Sequence, residues 1–297
     1  MAPRACLLPE RGVLRVRGLE AESFLQGLIT QNMEAVRLDQ AAYSLLQTPQ
    51  GKFLFDMFLI EDGHGYLIDC EAARAKELLK RLFFYKLRAK VEITDQSHTH
   101  AVAALPDDKG AHAGAAEDAM SGVTYVDPRL PALGKRAILP REAAEDCLAH
   151  AGYELSTPSA YHARRIELGV PEAGHELQPE KTFPLEANLD LLNAIDFKKG
   201  CFVGQEVTSR TKRRGQIRKR LVPARMEGPP PEPGRPVVKD GRNVGEVLSH
   251  NDETALLSVK LAEAEAEMRA GDAVLHLYLP DWADFTLGPQ DVRGKDA

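Results

Sequence analysis

Hydrophobic positions in the first third of the chain follow two different periods. Some runs are unbroken or alternate with polar residues, as in strands, whereas others place apolar residues three and four apart, as in helices. The resulting order of strand, helix, three strands and helix indicates an α+β fold. The predicted strands are 13–16, 43–46, 53–60 and 65–68, and the predicted helices are 21–28 and 71–87.

The helix predicted over 71–87 is the most sharply defined of these elements. Asp69 precedes it and is expected to cap its first turn. Its core-facing positions follow helical spacing. They are expected to be Leu78, Leu79, Leu82 and Phe83.

The last quarter of the chain has a different pattern. The run 228–234 contains four prolines and two glycines, which excludes a helix or a central strand and predicts a stiff loop. Short strands separated by turns then follow, which predicts a β-barrel or sandwich of about 80 residues. The predicted strands are 236–239, 243–248, 255–260 and 273–279. Two helices, 141–151 and 158–168, precede this region.

Length and composition limit the classes of protein that the chain can belong to. With 297 residues it is expected to form two or three domains. No apolar stretch is long enough to cross a bilayer, so we expect no membrane partner. The four cysteines lie far apart and form no zinc or disulfide pattern, and the first ten residues lack the apolar core of a signal peptide. A reducing, cytoplasmic setting is therefore expected.

A metal site is also not expected from the histidine pattern. His98, His100 and His112 lie near or within 104–120, a segment rich in Ala, Asp and Gly that is predicted to be a loop. These histidines lack the helical pairing and supporting ligands of a metal centre. We expect no permanently bound metal.

Charge is unevenly distributed along the chain. The whole chain has a net charge of −6, but 198–220 holds nine Lys or Arg residues against one acid, Glu206. Such a segment is typical either of a solvated surface or of a surface that faces an anionic partner. The candidate partners are a polyglutamyl or phosphate-bearing small molecule, an acidic protein surface and RNA.

The run from Lys198 to Glu206 is the strongest candidate for chemistry. Cys201 lies there among two lysines and two glycines, and nearby lysines lower a thiol pKa. The alternative is a small buried hydrophobic residue. A single thiol cannot hold an iron-sulfur cluster, which usually takes four protein ligands, so Cys201 would be at most a transient ligand shared with a partner.

Other polar residues have two interpretations each. Gln205 and Glu206 are suited either to hydrogen-bonding a heterocycle such as a pterin or to capping the following helix. Asp56 lies in an apolar strand and needs a partner or a cavity. Arg165 lies either beside an aromatic ring or in an exposed ion pair with Glu167 or another carboxylate.

The cysteine run resembles a family signature. Lys199-Gly200-Cys201-Phe202-Val203-Gly204-Gln205-Glu206 matches the K-G-C-[YF]-x-G-Q-E motif of the YgfZ family, folate-binding proteins related to the aminomethyltransferase (T-protein) of the glycine cleavage system. The mitochondrial iron-sulfur assembly branch of that family is more similar still. Further matching segments are 24–30, 50–52, 184–189 and 215–221.

The resemblance implies a GcvT-like ring of three domains around a folate cavity. Two α+β domains of ferredoxin-like type and a C-terminal β-barrel would form it. The implied boundaries are 1–42 with 141–219 for the folate-binding domain, 43–140 for the second domain and 220–297 for the barrel.

The resemblance also implies roles for single residues. Cys201 would be the functional thiol, and Arg165 matches the arginine that aminomethyltransferases place against folate. Asp56 falls where those enzymes have adjacent aspartates, one of them catalytic, although Phe55 precedes it here. The residues expected to contact tetrahydrofolate or a derivative are Arg165, Lys199, Gly200, Gly204, Gln205 and Glu206.

The function implied by the resemblance is a tetrahydrofolate-linked accessory role in assembling or repairing iron-sulfur clusters. An A-type cluster carrier would be a partner, and the clients would be [4Fe-4S] enzymes, including ones that modify tRNA. Two alternatives remain at this point: a folate-dependent aminomethyltransferase or demethylase, and an RNA-binding module, which the lack of interleaved aromatics disfavours. A bacterial protein would be cytoplasmic, whereas a eukaryotic one would act in the mitochondrial matrix.

Overall fold

A computed structural model describes residues 3–38, 40–106, 121–215 and 217–289. The chain divides into two compact units. The first unit comprises Met1–Tyr161 and Leu192–Glu206, and the second comprises His162–Leu191 and Val207–Ala297.

Strands dominate the described residues, and the helices are short. The strands of the first unit are β1 (Arg4–Leu7), β2 (Arg11–Arg17), β3 (Ala42–Gln47), β4 (Phe53–Glu61), β5 (Tyr66–Glu71), β6 (Glu92–Asp95), β7 (His100–Leu105), β8 (Val123–Val126), β9 (Lys135–Pro140) and β10 (Glu154–Leu155). Those of the second unit are β11 (Lys219–Glu227), β12 (Pro236–Lys239), β13 (Arg242–His250), β14 (Thr254–Lys260), β15 (Glu267–Ala270) and β16 (Ala273–Leu277). The helices are α1 (Ala21–Gln26), α2 (Ala75–Lys86), α3 (Ala144–His150), α4 (Pro158–Glu167) and α5 (Gln205–Arg214).

One antiparallel sheet of the first unit has the strand order β3-β4-β5-β2-β6. β4 is buried along nearly its whole length, which explains why its side chains are apolar apart from Asp56 and the terminal Glu61. Phe24 and Leu25 of α1 and Leu78 and Leu82 of α2 belong to the same core as this sheet. The strands and helices predicted for 13–87 are therefore confirmed, with shifted ends.

Helix α2 differs from its prediction at the start and at one core position. The residues Ala72–Arg74 form a 3₁₀ turn, and the α-helix begins only at Ala75. Asp69 does not cap it, because this residue lies in β5 and pairs with Arg11 and Arg136. Phe83 is exposed rather than core-facing. The 3₁₀ turn moves the start of the α-helix away from Asp69, and Phe83 lies in the last turn of α2, beyond the buried positions Leu78 and Leu82.

The other sheet of the first unit has the order β10-β1-β7-β9-β8. Its small core consists largely of alanine and leucine side chains, and Leu148 of α3 packs in it. Ala104 and Leu105 lie in β7, so the loop predicted for 104–120 begins later than expected. Residues 107–120, including His112, lie outside the described residues.

The second unit contains a closed barrel with the order β11-β14-β13-β12-β15-β16. The predicted C-terminal barrel and the α+β class are confirmed. Sequence patterns did not predict β11 or β15, because charged residues and Pro223 interrupt the first and the second has only four residues. The run 228–234 contains neither helix nor strand, as predicted.

The proposed domain boundaries stay a prediction. The implied boundary at residue 42 falls between β2 and β5 in the sequence, yet these two strands pair with each other in one sheet. Within the described ranges, no helix has the length and apolar character that crossing a membrane requires.

Candidate functional site

Cys201 lies on a loop of the first unit, just before α5, and its side chain is exposed. The two residues that follow it point inward: Phe202 is buried, and Val203 packs against the core of the β3-β4-β5-β2-β6 sheet. The loop is therefore seated on the sheet domain while its cysteine faces outward. The alternative interpretation of Cys201 as a buried hydrophobic residue does not hold.

Lys199 attaches this loop to the segment that follows α1. Its Nζ donates hydrogen bonds to the carbonyl oxygens of Gln26, Ile29 and Gln31, at 2.8, 2.6 and 2.8 Å. Burial lowers the pKa of Lys199 to about 8, and the nearby Asp196 acts in the opposite direction. Because all three ammonium donors serve backbone carbonyls, Lys199 is an anchor of the loop.

Gly204 attaches the same loop to the turn between β3 and β4. Its φ is +83°, and a Cβ at this position would lie 2.6 Å from Thr48 O and 2.7 Å from Gln47 Oε1. Only glycine fits such a conformation and approach without strain. Gly200, in contrast, has no atom within 4 Å of a Cβ built on it. The two glycines of the motif therefore have different structural roles.

Polar residues that sequence reasoning missed hold the stretch before the motif. Thr30 Oγ1 donates to Ala194 O at 2.6 Å, and Asp196 N donates to Thr30 O at 3.0 Å. Gln31 Nε2 donates to Asn193 O at 2.6 Å. The only sequence signal for these contacts was that 24–30 is a matching segment of the family.

Gln205 and Glu206 form the start of α5. The Gln205 N–H donates to Phe202 O at 3.2 Å, and Glu206 lies exposed in the first helical turn. A carboxylate at this position interacts favourably with the positive helix end. The helix-terminal interpretation of Glu206 therefore has direct structural support, and its role toward a ligand stays a prediction.

Asp56 is buried in an ionic network of the first unit. Tyr43 Oη donates to Asp56 Oδ2 at 3.2 Å, and Arg11 Nη1 lies 3.5 Å from Asp56 Oδ1. Asp69 links Arg11, at 2.6 Å, to Arg136, at 2.7 Å. A second pair, Arg129 and Asp127, lies at 2.7 Å in the same region, where Arg129 and Arg136 both contact Tyr161 Oη.

The sequence left open whether Asp56 has a charged partner or faces a cavity, and the network supplies the partner. Three arginines face three aspartates in it, so its formal charge is zero. The partner predicted for a charge in an apolar strand is present. The network also joins two sheets, because Asp69 lies in β5 of one sheet and its partner Arg136 lies in β9 of the other.

Arg165 belongs to a buried cluster of the second unit. Its Nη1 donates to Glu176 Oε2 at 2.7 Å, its Nε lies 3.4 Å from Glu172 Oε2, and Nε also donates to His162 Nδ1 at 3.0 Å. Arg165 does form an ion pair with carboxylates other than Glu167, as the second interpretation allowed, but the pair is buried rather than exposed. Arg164, its neighbour in sequence, pairs with Glu167 at 3.4 Å.

Other members of this cluster come from the loop after α4 and from β13. The ring of His175 lies 4.5 Å from that of His162, tilted by 49°, and burial lowers the pKa of His175. Ser249 of β13 donates to Glu176. Sequence reasoning missed Glu172 and Glu176, because nothing in their spacing shows that the chain turns back toward α4.

The basic segment is partly neutralised by a carboxylate that the sequence did not indicate. Asp190 pairs with Lys212 at 2.8 Å and with Arg220 at 2.5 Å. Arg220 is buried rather than solvated. Two of the nine cations therefore stabilise the second unit, which reduces the charge available to an anionic partner.

Side chains of the described residues do not form a metal site. Among the described residues, no group of three or more His, Cys, Asp or Glu side chains is arranged to hold a metal ion. The second unit contains a cleft of about 170 Å³, lined by carboxylates such as Glu186 and Glu246 and by Lys181 and Lys219. A neighbouring cleft, lined by Lys219, Asn243 and Lys260, has about 310 Å³. Pockets for drug-sized ligands have about 300–1,000 Å³, so of these two clefts only the second reaches the lower end of that range.

The predicted folate contacts fit a folate poorly as the structure arranges them. A folate offers glutamyl carboxylates, which need cations, and a pterin, which needs paired donors and acceptors. The ammonium of Lys199 is engaged by three carbonyls, and the guanidinium of Arg165 by two glutamates. Folate binding therefore stays a prediction.

Comparisons with known proteins agree with these structural features. A family model described as the CAF17 C-terminal β-barrel domain matches residues 218–285, which is the barrel region. The crystal structure of glycine cleavage system aminomethyltransferase T from Bartonella henselae shares the fold, with a TM-score of 0.76 over 97% of this chain and 88% of that chain, at 17% identity.

The sequence relatives are more specific. The iron-sulfur cluster assembly factor IBA57 of Homo sapiens is 32% identical over 94% of this chain and 85% of its own length, and that of Mus musculus is 34% identical over 76% and 67%. A Neurospora crassa homolog is 35% identical over 76% of this chain, which spans 54% of the homolog. All three are named as mitochondrial. This chain belongs to the family of the iron-sulfur cluster assembly factor IBA57.

Proposed function

We propose that this chain is an iron-sulfur cluster assembly factor that presents the thiol of Cys201 to a cluster held by a partner. The observation that supports this most is an exposed cysteine on a loop fixed at both ends by Lys199 and Gly204. A fixed backbone holds the sulfur at a defined place on the surface. Family membership supplies the class of cargo.

The chemistry follows from the properties of a single thiolate. Thiolate is a soft ligand that binds iron in clusters, and clusters usually take four protein ligands. Cys201 supplies one, so the partner must supply the others, and the cluster passes through this site as cargo. The partner in this proposal is an A-type carrier, and the clients are [4Fe-4S] enzymes, including tRNA-modifying ones.

A bound tetrahydrofolate remains a separate part of the proposal. When bound, a folate would supply one-carbon chemistry, and the predicted contacts with polar side chains that reach solvent are Gln205, which is half-buried, and Glu206, which is exposed. Equilibrium dialysis with tetrahydrofolate, comparing the wild type with Gln205→Ala, tests this part alone. Binding that is absent, or unchanged in the variant, would contradict it without affecting the role of Cys201.

The two alternative functions make distinct predictions. An aminomethyltransferase would turn over tetrahydrofolate and an aminomethyl donor, and Asp56→Asn would abolish this turnover, although Asp56 is engaged by Arg11 and Tyr43. An RNA-binding module would show affinity that falls steeply with salt. The place of action stays a prediction: the mitochondrial matrix in a eukaryote, or the cytoplasm in a bacterium.

The proposal is tested by mixing the full chain with a cluster-loaded A-type carrier. We expect a complex that elutes with the cluster's visible absorbance, and we expect Cys201→Ser to lose or alter that absorbance. Cys147→Ser is the matched control, because Cys147 is half-buried against the α3 core. An unchanged spectrum with Cys201→Ser would exclude this thiol as a ligand.

A further inference from the structure

The C-terminal end of α2 exposes a group of large apolar side chains. Phe83, Phe84 and Leu87 are 47%, 73% and 87% exposed, and Leu19 is 91% exposed. The opposite face of the same helix is fully used, since Ala75, Leu78 and Leu82 are buried in the core. We call Leu19, Phe83, Phe84 and Leu87 the α2 patch.

The four side chains of the α2 patch belong to one region of the first unit. Phe83 and Phe84 precede Leu87 by four and three positions, which places them on neighbouring parts of a helix surface. Leu19 lies beside the segment after the helix, because the Lys90 N–H donates to Glu20 Oε2 at 2.7 Å. Gly18 also packs against the Lys90 carbonyl.

Leu87 ends the helix in an unfavourable conformation. Its φ of +47° and ψ of −108° lie outside the helical region, and it is not a glycine. Such strained positions persist where the surrounding structure requires them, and they cluster at functional sites. At Leu87 the strained position carries an apolar side chain that is exposed to solvent.

Basic residues predominate around the helical part of the α2 patch, whereas Glu20 and Glu22 lie beside Leu19. The segment 74–90 contains seven Lys or Arg residues and one acid, Glu77, which pairs with Arg74 at 2.9 Å. Its net charge is therefore +6 in a chain whose total is −6. The exposed basic side chains of this segment are Lys76, Lys80, Arg88 and Lys90.

We propose that the α2 patch is a peripheral membrane-binding surface that recognises anionic lipid. Protruding Phe and Leu side chains would enter the interfacial layer, and the lysines and arginines would contact the anionic headgroups. This mode of binding needs no spanning helix. It therefore differs from the insertion of a spanning helix, which the lack of a long apolar stretch argues against.

Two observations favour a lipid surface over a protein partner for the α2 patch. Lysine is depleted in protein interfaces, yet four of the seven basic residues here are lysines. Side chains exposed by 73–91% protrude from the surface instead of lining a concave pocket. A fluid interface accepts protruding side chains without requiring a complementary shape.

The test is flotation of the full chain with lipid vesicles. We expect binding to phosphatidylcholine vesicles that contain about a third of anionic phosphatidylglycerol, and little binding to pure phosphatidylcholine. Phe84→Ser/Leu87→Ser should weaken binding about tenfold or more. Lys80→Glu/Arg88→Glu should weaken it at low salt, where surface charges are least screened.

Matched variants keep this test specific. Leu155→Ser removes an exposed leucine elsewhere in the first unit, and Arg213→Glu/Arg214→Glu changes the net charge equally in the other basic segment. Both should bind like the wild type. A blue shift of emission from Phe84→Trp on anionic vesicles would show insertion directly.

Two outcomes would overturn the proposal. One is equal vesicle binding by the wild type and Phe84→Ser/Leu87→Ser with both proteins folded. The other is no binding of the wild type to anionic vesicles; loss of a protein complex in Phe84→Ser/Leu87→Ser would then assign the α2 patch to a protein partner. Neither outcome affects the test of Cys201.

Discussion

At the residue scale, the four cysteines have clearly different surroundings. Cys201 is exposed and Cys147 is half-buried, whereas Cys6 and Cys70 are buried. Burial raises the pKa of Cys6 to about 11, and it raises the pKa of Cys70 further. Because thiolate is the reactive form, accessibility and pKa act in the same direction for the two buried thiols.

The expected result is an ordered alkylation of the folded protein. Iodoacetamide near neutral pH should modify Cys201 first and Cys147 more slowly, while Cys6 and Cys70 react only after unfolding. Peptide mass spectrometry over time measures the order, with the urea-unfolded chain as the control. Equal labelling of Cys70 and Cys201 in the folded protein would contradict the placement of these thiols.

The sequence alone indicated which residues are candidates for a functional role, but it did not indicate which residues they contact in the folded protein. The run around Cys201 was recognisable because it is local. The carbonyl partners of Lys199 lie more than 160 positions earlier, and no local pattern reports such contacts. Arg165 shows the same limit, since its pairing with Glu176 depends on a turn of the irregular chain after α4.

At the element scale, the Cys201 loop depends on two glycines that differ in surroundings. Gly204→Ala should lower the free energy of unfolding by more than about 1 kcal/mol, because φ is positive and Thr48 O blocks a Cβ. Urea unfolding measures the loss. The matched control is Gly200→Ala, which meets no atom within 4 Å and should leave stability nearly unchanged.

Equal stability of these two alanine variants would contradict the described seating of the loop. A further comparison is informative for function. If Gly204→Ala remains folded but delivers clusters poorly, then the position of the loop matters in addition to the thiol itself.

Elements with a strong period were predictable, whereas weak or interrupted ones were not. The run 53–60 forms β4 because a stretch of that length that is apolar except at Asp56 suits a buried strand. β11 was missed because Lys219, Arg220 and Pro223 obscure its inward-facing residues. The start of α2 was placed four residues early because a 3₁₀ turn precedes the helix.

At the scale of the whole molecule, the neutral network of arginines and aspartates joins the two sheets of the first unit. Asp69 Oδ1 and Oδ2 accept from Arg11 and Arg136, which come from different sheets. Asp69→Asn should cost about 3–5 kcal/mol of unfolding free energy, because it leaves buried arginines without their carboxylate.

The control for Asp69 is an ion pair at the surface. Arg17 and Glu92 lie 2.9 Å apart, with both side chains more than half exposed. Glu92→Gln should therefore change stability by less than about 1 kcal/mol. Similar losses in both variants, measured by urea unfolding, would show that the network does not hold the sheets together.

The central claim concerns the role of Cys201 in cluster delivery, and maturation of a [4Fe-4S] enzyme tests it most directly. The assay compares the wild type, Cys201→Ala and the control Cys147→Ala, each with and without tetrahydrofolate and each checked for folding. We expect Cys201→Ala to lose most of the maturation activity and Cys147→Ala to retain it. Full maturation by folded Cys201→Ala would contradict the claim.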